Sequence, residues 1–399
     1  MKKTLLSALL GLAAFGAAKA QCPAGRYLTD MFPTYSVSTV TYSTPYNLEM
    51  DIYQPDGDTY AARPLIILGH GGSFIGGNKT DDPTVVALCQ RFAKRGYVTA
   101  SINYRLGNLF DMVTDSNKAI EIVVKAISDG KAAIRYFVKD AATSNTYRID
   151  TNNIFIGGNS AGAVLYMHVG YLGNIAECPS YIAAAMALNG GFEGNSGNDG
   201  YTTKNKAVIN LAGALNLTSF VDMYDKPSVS AHGDTDPTVP YDCGYPLNGS
   251  VHVNLCGLGE LEPVFAAKSV YHYGKIYPGD GHVPWSSNAT KLNSVDSMVK
   301  EFLYNMVCTN VAGVNEVAKA TEVSLYPNPA SSQVNISAST PLEQVAIYDQ
   351  TGRVVSNASS IGKENYTLNT SDFAKGIYFV RLKFADENIS PVVRRLSVE

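Results

Sequence analysis

A serine flanked by glycines stands near the middle of the sequence. The pattern Gly-x-Ser-x-Gly occurs as Gly-Asn-Ser-Ala-Gly at 158–162, although glycine-rich chains also produce it by chance. An apolar run at 154–157, typical of a buried strand, leads into the pattern, and a helical segment at 163–168 follows it. Because a sharp strand-to-helix turn lifts a serine hydroxyl clear of a sheet, this setting favours Ser160 as a nucleophile over an incidental serine in a glycine-rich turn.

A serine nucleophile needs a histidine base, and after this kind of turn the acid and then the histidine follow along the chain. Three histidines lie after position 240. His272 is inside a strand pattern, and His252 lies in a loop-rich segment between two cysteines. His282 comes just after the last predicted strand, in a tight turn that could present a base to Ser160. We therefore predict His282 as the base.

The acid should come from the loop after the preceding strand, and two aspartates are available there. Asp234 and Asp236 both lie in the segment 232–240. The proline at 237 restricts the residue before it to extended geometry, which favours Asp236 as the partner of His282. Asp234 is then expected to cap a turn, and it remains the alternative acid.

A glycine-rich loop follows an earlier predicted strand. The strand pattern at 65–68 leads into His-Gly-Gly-Ser-Phe at 70–74. Glycines let backbone N–H groups approach a substrate carbonyl closely, and the N–H of Ala161 beside the nucleophile would add another donor. A phosphate-binding loop is the alternative, but the segment lacks the Lys-Ser/Thr ending of a P-loop. We predict an oxyanion hole.

The elements that must position these residues are short strands alternating with longer helices from 37 to 307. Apolar residues recur every three or four positions from 120 to 137, which predicts a helix packed on a sheet. The Ala-rich segment 181–188 is interpreted as a helix, with a strand as the alternative, and 291–307 as a final amphipathic helix. Buried-type strands are predicted at 64–69, 98–103, 153–157, 207–212, 227–231 and 269–276. The predicted fold class is α/β, with a mostly parallel sheet and flanking helices.

Composition and charge exclude some classes of protein. The 399 residues are 45% hydrophobic and 17% charged, a globular balance. Lys and Arg total 31 against 35 Asp and Glu, which gives a net charge of −4. A mildly acidic chain has no basic surface for nucleic acid or anionic lipid, so neither is expected as a partner.

The segment 1–20 has the features of an export signal. Two lysines precede an apolar stretch, and Ala-Lys-Ala at 18–20 fits a small-x-small cleavage site. We expect the mature chain to begin at Gln21, with an uncleaved signal anchor as the alternative. No other stretch approaches the roughly 20 apolar residues that a membrane span needs.

Export makes disulfide bonds possible, and the six cysteines are an even number. The count predicts three bridges, of which Cys243–Cys256 is the one pairing that we predict from local spacing. No Cys-x-x-Cys or Cys-x-x-His spacing occurs, so no metal site is expected, and the chemistry predicted here calls for no cofactor.

The character of the sequence changes after Cys308. Small residues without a clear period fill 309–322, which we interpret as a linker. Alternating apolar runs then predict a small all-β sandwich over 323–399. These runs lie at 334–336, 345–347, 354–355, 366–368, 377–384 and 392–398.

The ordered motifs from 37 to 307 resemble those of the α/β-hydrolase fold, specifically secreted carboxylesterases and lipases of the His-Gly-Gly type. In that family the second and third residues after the start of the His-Gly-Gly motif donate to the oxyanion. The resemblance thus implies catalytic Ser160, Asp236 and His282, with oxyanion-hole donors Gly72, Ser73 and Ala161. Glycine is often found in the family where this chain has Ser73, and the added side chain narrows the hole.

The segment 323–399 resembles the type IX secretion sorting domain. Three motifs carry the resemblance, namely Leu-Tyr-Pro-Asn-Pro at 325–329, Val-Ala-Ile-Tyr-Asp at 345–349 and Gly-Ile-Tyr-Phe-Val at 376–380. The resemblance implies that the type IX machinery of the outer membrane is a partner and that this domain is usually removed on export. A carbohydrate-binding β module is the alternative, although this part of the chain has no Trp.

These inferences predict a secreted or cell-surface serine hydrolase of carboxylic esters that works through an acyl-enzyme and acts as a monomer. Alternatives are an acetyl or feruloyl esterase directed at polysaccharides, a serine peptidase of the same fold, and a displayed binding protein without catalysis. The sequence leaves the ester itself open. The predicted parts are a signal peptide at 1–20, a catalytic domain at 21–308, a linker at 309–322 and a sorting domain at 323–399.

Overall fold

The structure, a computed structural model, describes residues 22–23, 25–308, 323–349, 354–385 and 392–399. The chain separates into two compact units, with the break between Gly313 and Val314. The predicted signal peptide and linker lie outside the described residues. No helix in the described ranges is long and apolar enough to cross a membrane.

An eight-stranded sheet forms the centre of the first unit. Its order is β1-β2-β4-β3-β5-β6-β7-β10. Strands β1 and β2 pair antiparallel to their neighbours, and the strands from β4 to β10 run parallel. Its strands are β1 (Tyr35–Ser43), β2 (Leu48–Pro55), β3 (Arg63–Gly69), β4 (Val98–Ile102), β5 (Ile149–Asn159), β6 (Ala207–Leu211), β7 (Ser228–Gly233) and β10 (His272–Tyr277). The mostly parallel sheet agrees with the prediction.

Helices cover both faces of this sheet. They are α1 (Pro83–Lys94), α2 (Leu109–Thr114), α3 (Ser116–Ala142), α4 (Ala161–Tyr171), α5 (Ser180–Leu188), α6 (Leu258–Ala267) and α7 (Ala289–Cys308). Helix α1 begins with a proline at its first position, and Asp82 before it caps the amides of Thr84 and Val85. The predicted helix at 120–137 is the central part of α3, and 181–188 is helical as α5 rather than a strand.

Two apolar clusters pack on opposite faces of the sheet. Along β3, Leu65 and Ile67 belong to one cluster, whereas Ile66 and Leu68 belong to the other. All four side chains are buried. A parallel strand covered by helices on both faces is apolar throughout, which explains why the sequence shows a continuous apolar run there instead of an alternation.

The last strand of the sheet begins three residues later than the predicted 269–276. Ser269 has a φ of 55°, and the N–H of Val270 bonds back to the carbonyl of Phe265. These residues close the turn after α6, so that β10 begins only at His272. The apolar character of Val270 made the turn resemble the start of a strand.

Two disulfide bonds are present where three were predicted. Cys243 pairs with Cys256, as predicted, and Cys22 pairs with Cys308. The remaining cysteines, Cys89 and Cys178, are free. Cys89 lies in the cluster on one face of the sheet and Cys178 packs against the cluster on the other, so the sheet separates them. Burial raises the pKa of the Cys89 thiol to about 12, which keeps it protonated.

The two ends of the segment closed by the Cys243–Cys256 disulfide pair as a two-stranded ribbon. Strands β8 (Cys243–Gly244) and β9 (Leu255–Cys256) pair antiparallel, with Cys243 opposite Cys256. The N–H and carbonyl of Leu215 exchange hydrogen bonds with the carbonyl and N–H of Cys256. The intervening residues therefore form a loop tied to the body of the unit at its base.

The second unit is an antiparallel β structure with its own apolar core, as the all-β prediction requires. Its strands are β11 (Ser324–Tyr326), β12 (Gln333–Tyr348), β13 (Val354–Asn369), β14 (Gly376–Phe384) and β15 (Val392–Val398). The separate runs predicted at 334–336 and 345–347 belong to the single strand β12. Irregular register between Ser337 and Leu342 interrupts the apolar alternation there, which made one strand look like two.

Candidate active site

Four neighbouring segments meet at one edge of the large sheet. Strands β3, β5, β7 and β10 are parallel, so their carboxyl ends lie at the same edge. The glycine-rich loop follows β3, Ser160 follows β5, the two aspartates follow β7, and His282 follows β10. Ligands of open parallel sheets bind at such an edge, which makes it the candidate site.

Ser160 is the single residue between the end of β5 and the start of α4, with φ 54° and ψ −120°. A left-handed φ is unfavourable for a residue with a side chain, and such strain occurs at functional turns. A Cβ on Gly158 would lie 2.5 Å from the carbonyl oxygen of Gly69, and one on Gly162 would lie 2.0 Å from it. Both flanking glycines are therefore required by the close approach of the β3 backbone.

His282 contacts both Ser160 and Asp236. Its Nε2 lies 2.7 Å from Ser160 Oγ, and its Nδ1 lies 2.6 Å from Asp236 Oδ2. Because a carboxylate only accepts, Nδ1 carries the hydrogen and donates it to Asp236. Nε2 of the neutral ring is then free to accept the hydroxyl hydrogen of Ser160. The structure thus brings the three residues into one hydrogen-bonded chain.

Asp236 is held as an anion by donors around both of its oxygens. Oδ1 accepts from the N–H groups of Thr238 and Val239, and Oδ2 also lies 3.3 Å from Nε2 of His232. Burial by itself raises the pKa of this carboxyl. The hydrogen bonds from His232, His282 and the Val239 amide outweigh burial and hold the pKa well below its usual range.

Asp234 occupies a different environment. Its side chain is exposed, and Oδ1 accepts from the N–H of Gly279 in the turn after β10, at 2.7 Å. The two aspartates thus point to different partners: Asp234 braces the loop that carries His282, whereas Asp236 contacts the imidazole itself. This is the arrangement that the proline at 237 favoured.

The other two histidines after position 240, His252 and His272, do not contact Ser160. His272 is on β10 with its ring 4.8 Å from that of Phe265, and burial lowers its pKa to about 4. His252 is exposed in the disulfide-bridged loop, where its ring contacts Tyr245. Neither ring bonds to Ser160 or to either aspartate in the described part of the chain.

The glycine-rich loop folds into a tight turn beside Ser160. The carbonyl of Gly72 accepts from the N–H groups of both Ile75 and Gly76 at 3.0 Å. Gly72 has φ 120°, and a Cβ there would lie 2.1 Å from the carbonyl oxygen of Gly76, so no side chain fits. Ser73 follows with φ 56°. Among the described residues, the amides of Gly72, Ser73 and Ala161 donate to no other protein group.

A buried carboxylate behind this turn was not predicted as part of the site. Asp82 Oδ2 accepts from the N–H of Gly71 at 2.9 Å and from Nδ2 of Asn159 at 3.0 Å. Oδ1 of Asn159 accepts in turn from the indole N–H of Trp285. Asp82, Asn159 and Trp285 are all buried. The chain of bonds links the glycine-rich loop, the turn before Ser160 and the loop after His282.

Sequence signals for this network exist but point to other roles. Asp82 precedes a proline and fits a helix N-cap, which it also is. Asn159 fills a variable position of Gly-x-Ser-x-Gly, and Trp285 is the only Trp of the chain. Nothing in their spacing indicates that residues 77 and 126 positions apart are hydrogen-bonded.

An apolar cavity opens beside Ser160. Near Ser160 its wall includes Ser73, Phe74 and Ala161, and farther in it includes side chains of α3, α4 and α5. The disulfide-bridged loop supplies part of the opposite wall through Leu247 and Val251. In the described ranges, no group of three or more His, Cys, Asp or Glu side chains is arranged to hold a metal ion.

The sheet order and the parallel strands that meet at this edge agree with the predicted α/β-hydrolase fold. Residues 50–222 match the family BD-FAE, and residues 324–396 match the secretion system C-terminal sorting domain. The first unit is therefore similar to BD-FAE in sequence and to esterases in fold, and the second unit is similar to secretion sorting domains.

Several known proteins are similar to parts of this chain. The isoprenylcysteine alpha-carbonyl methylesterase ICME of Arabidopsis thaliana is 26% identical over 189 residues, which are 47% of this chain. The match spans only 36% of the length of that relative. Esterase 2 of Thermogutta terrifontis, phosphorylated by paraoxon, superposes with a TM-score of 0.50 at 18% identity, over 69% of this chain and 95% of that one. The same esterase with butyrate bound also gives a TM-score of 0.50, at 18% identity over 71% and 98% of the chains. At this level of identity, the two superpositions show that the first unit shares the fold of that esterase.

Proposed function

We propose that this protein is a secreted serine hydrolase of carboxylic esters. Ser160 is the nucleophile, His282 the general base and then acid, and Asp236 the anion that orients and stabilises the imidazolium. The backbone N–H groups of Gly72, Ser73 and Ala161 form the oxyanion hole.

In this mechanism, Ser160 Oγ attacks the ester carbonyl carbon as its hydrogen moves to Nε2 of His282. The carbonyl oxygen becomes an anion and accepts from the oxyanion-hole amides. The imidazolium then protonates the leaving alcohol as the C–O bond breaks, which leaves an acyl group on Ser160. Water, deprotonated by His282, attacks this acyl-enzyme and releases the acid.

One observation carries the proposal. The hydrogen bonds that link Asp236, His282 and Ser160 end beside amides that have no partner among the described residues. The lowered pKa of Asp236 supports the same assignment, because this carboxyl stays ionised when the imidazole gains its proton. Preorganised donors of this kind each contribute about 10²–10³ in rate.

The test combines labelling with turnover. Paraoxon should transfer its diethylphosphoryl group to Ser160 Oγ and release 4-nitrophenolate, which intact-protein mass spectrometry detects as one added group. Ser160→Ala should take up no label and should lose p-nitrophenyl ester hydrolysis while keeping the wild-type circular dichroism spectrum. Labelling of Ser160→Ala, or activity above a tenth of wild type, would contradict the assignment.

A serine peptidase is the second candidate, since it would use the same three residues. Simple esters and short chromogenic peptide amides distinguish the two activities. Hydrolysis of the esters without cleavage of the amides supports the esterase assignment. Faster cleavage of the amides than of the esters would identify a serine peptidase instead.

We also propose the path to the outside of the cell. The segment 1–20 serves as a signal peptide, 21–308 is the catalytic domain, 309–322 is the linker, and 323–399 directs export through the type IX machinery. The exported enzyme acts as a monomer. Mass spectrometry of the secreted protein should find an N-terminus at Gln21 and no peptides from 323–399.

A further inference from the structure

We propose that the apolar cavity beside Ser160 binds the acyl part of the substrate and that the preferred substrates are esters of medium-chain aliphatic acids. The inference rests on the proposed function and names the substrate class of the same site. It excludes a preference for acetyl groups on polysaccharides and for feruloyl esters.

The cavity extends from the nucleophile along two helices. On α4, Ala161, Val164, His168 and the capping residue Leu172 line it, so it follows one face of the helix for about 16 Å at 1.5 Å per residue. On α3 the lining positions run from Ala119 to Ile127, about 12 Å. An acetyl group would leave most of this length empty.

The cavity lies on the acyl side of the reacting carbon. Its wall includes Ala161 and Ser73, whose amides face the carbonyl oxygen in the proposed mechanism, and it does not include His282 among the described residues. The leaving oxygen must lie within reach of His282 Nε2, because that atom protonates it. The alcohol therefore leaves on the histidine side, and the acyl chain occupies the cavity.

The polar side chains of the deeper wall already have hydrogen-bond partners among the described residues. His168 lines the cavity, but its Nδ1 donates to the carbonyl of Val164 and its Nε2 accepts from the N–H of Asn216. Burial lowers the pKa of His168, so the ring is neutral. The side chain of Asn216 accepts from the hydroxyl of Tyr181 and donates to the carbonyl of Asn254. A sugar hydroxyl or a phenol would be desolvated there with little compensation, since only one N–H and one lone pair of Asn216 remain.

The wall on the opposite side is also apolar. The loop between Cys243 and Cys256 contributes Pro246, Leu247, Val251, Val253 and Leu255 to it. The disulfide and the β8–β9 ribbon hold the base of this loop. Phe74 and Met112 contribute further apolar surface. An aliphatic chain would contact such surface along its whole length and gain free energy with every methylene buried.

The direct test is a series of p-nitrophenyl esters, from acetate through butyrate, hexanoate and octanoate to decanoate, with the purified full chain. The leaving group is constant, so the profile reports on the acyl site alone. We expect kcat/KM to rise by about fourfold per methylene from acetate until the cavity is filled, with the maximum at hexanoate or longer. Acetylated xylan and methyl ferulate should react more slowly than methyl hexanoate, whose leaving group is also an unactivated alcohol.

A matched pair of substitutions on one helix links the profile to the cavity. Val123 lines the cavity on α3, whereas Val138, on the same helix, packs in the core outside it. Val123→Phe should lower the octanoate-to-acetate ratio of kcat/KM at least tenfold. Val138→Phe should leave this ratio unchanged. Leu172→Phe, at the far end, provides a second blocking variant and should shift the maximum towards butyrate.

The outcomes separate the two proposals. A flat or falling profile in an enzyme that hydrolyses acetate overturns the acyl-site proposal and leaves the esterase proposal standing. Faster reaction of acetylated xylan or methyl ferulate than of methyl hexanoate has the same consequence. An unchanged octanoate-to-acetate ratio in both blocking variants overturns it as well. Failure to hydrolyse any ester contradicts the proposed function and, with it, the inference.

Discussion

The indole N–H of Trp285 donates to Oδ1 of Asn159, the residue directly before Ser160, at 3.0 Å. Trp285 stands three positions after His282, so this one bond joins the loop that carries His282 to the turn that carries Ser160. The amide of Asn159 cannot flip without loss, because an indole only donates and the Asp82 carboxylate on its other side only accepts. The position of Ser160 relative to His282 thus depends on the side chains of Asn159 and Trp285, which do not bond to Asp236.

We predict that Trp285→Phe lowers kcat by about tenfold with little change in KM. Phenylalanine keeps most of the ring packing but removes the donor, which leaves Asn159 Oδ1 buried and unpaired at a cost of about 1–3 kcal/mol. Steady-state kinetics and melting temperature measure the two effects.

Tyr171→Phe is the control for this prediction. It removes another buried donor, the hydroxyl bonded to the Lys226 carbonyl, at the far end of α4. It should lower the melting temperature without lowering kcat. Equal kcat values for wild type and Trp285→Phe would show that the network does not position the catalytic residues.

The two aspartates after β7 should separate activity from stability. Asp236→Asn should lower kcat by about 10⁴, because an amide stabilises the wrong tautomer of His282. Asp234→Asn should mainly lower stability, by about 1 kcal/mol, through a weakened bond to the Gly279 amide. Both variants are measured in parallel for kcat and melting temperature. The assignment must be reversed if Asp234→Asn is the inactive variant.

Acid should destabilise the protein partly through His272. Burial lowers its pKa from 6.5 to about 4, so the folded state resists a proton that the unfolded chain accepts. The stability is present above about pH 6.5 and falls between pH 6.5 and 4, by at most about 3 kcal/mol. Urea unfolding of His272→Phe should show a shallower decline over that window. His252→Gln, at an exposed histidine, serves as the control and should follow the wild type.

Removal of the second unit should leave catalysis intact. The first unit contains the whole candidate site and both disulfides, and each unit has its own apolar core. A chain truncated after position 321 should therefore keep wild-type kcat/KM when produced in another host, yet remain unsecreted in the native one. Ester hydrolysis by purified protein and immunoblots of the culture medium measure the two outcomes. A truncated chain that folds but has lost its activity would show that catalysis requires both units.

Local patterns predicted much of the first unit, because each strand and long helix buries its own apolar residues. The positions of Ser160, Asp236 and His282 at one edge followed from motif order. The bonds among Asp82, Asn159 and Trp285 did not, since side chains distant in sequence meet only through the packing of α1 and the loops. The third disulfide was predicted wrongly for a related reason: a cysteine count does not reveal which face of the sheet each cysteine occupies. The apolar interior of the cavity was not predicted, because its walls come from four helices and several loops that, taken singly, look like ordinary core.

The bond between Cys22 and Cys308 joins residues separated by 286 positions, one ahead of the first strand and the other at the end of α7. It can therefore close only after nearly the whole first unit has been synthesised, and until then the thiol of Cys22 is exposed to mispairing with cysteines that emerge sooner. Once closed, the bond makes the backbone of this unit a covalent ring. A single protease cut inside the ring opens it without releasing a fragment, so the two pieces stay covalently joined until a reductant is added.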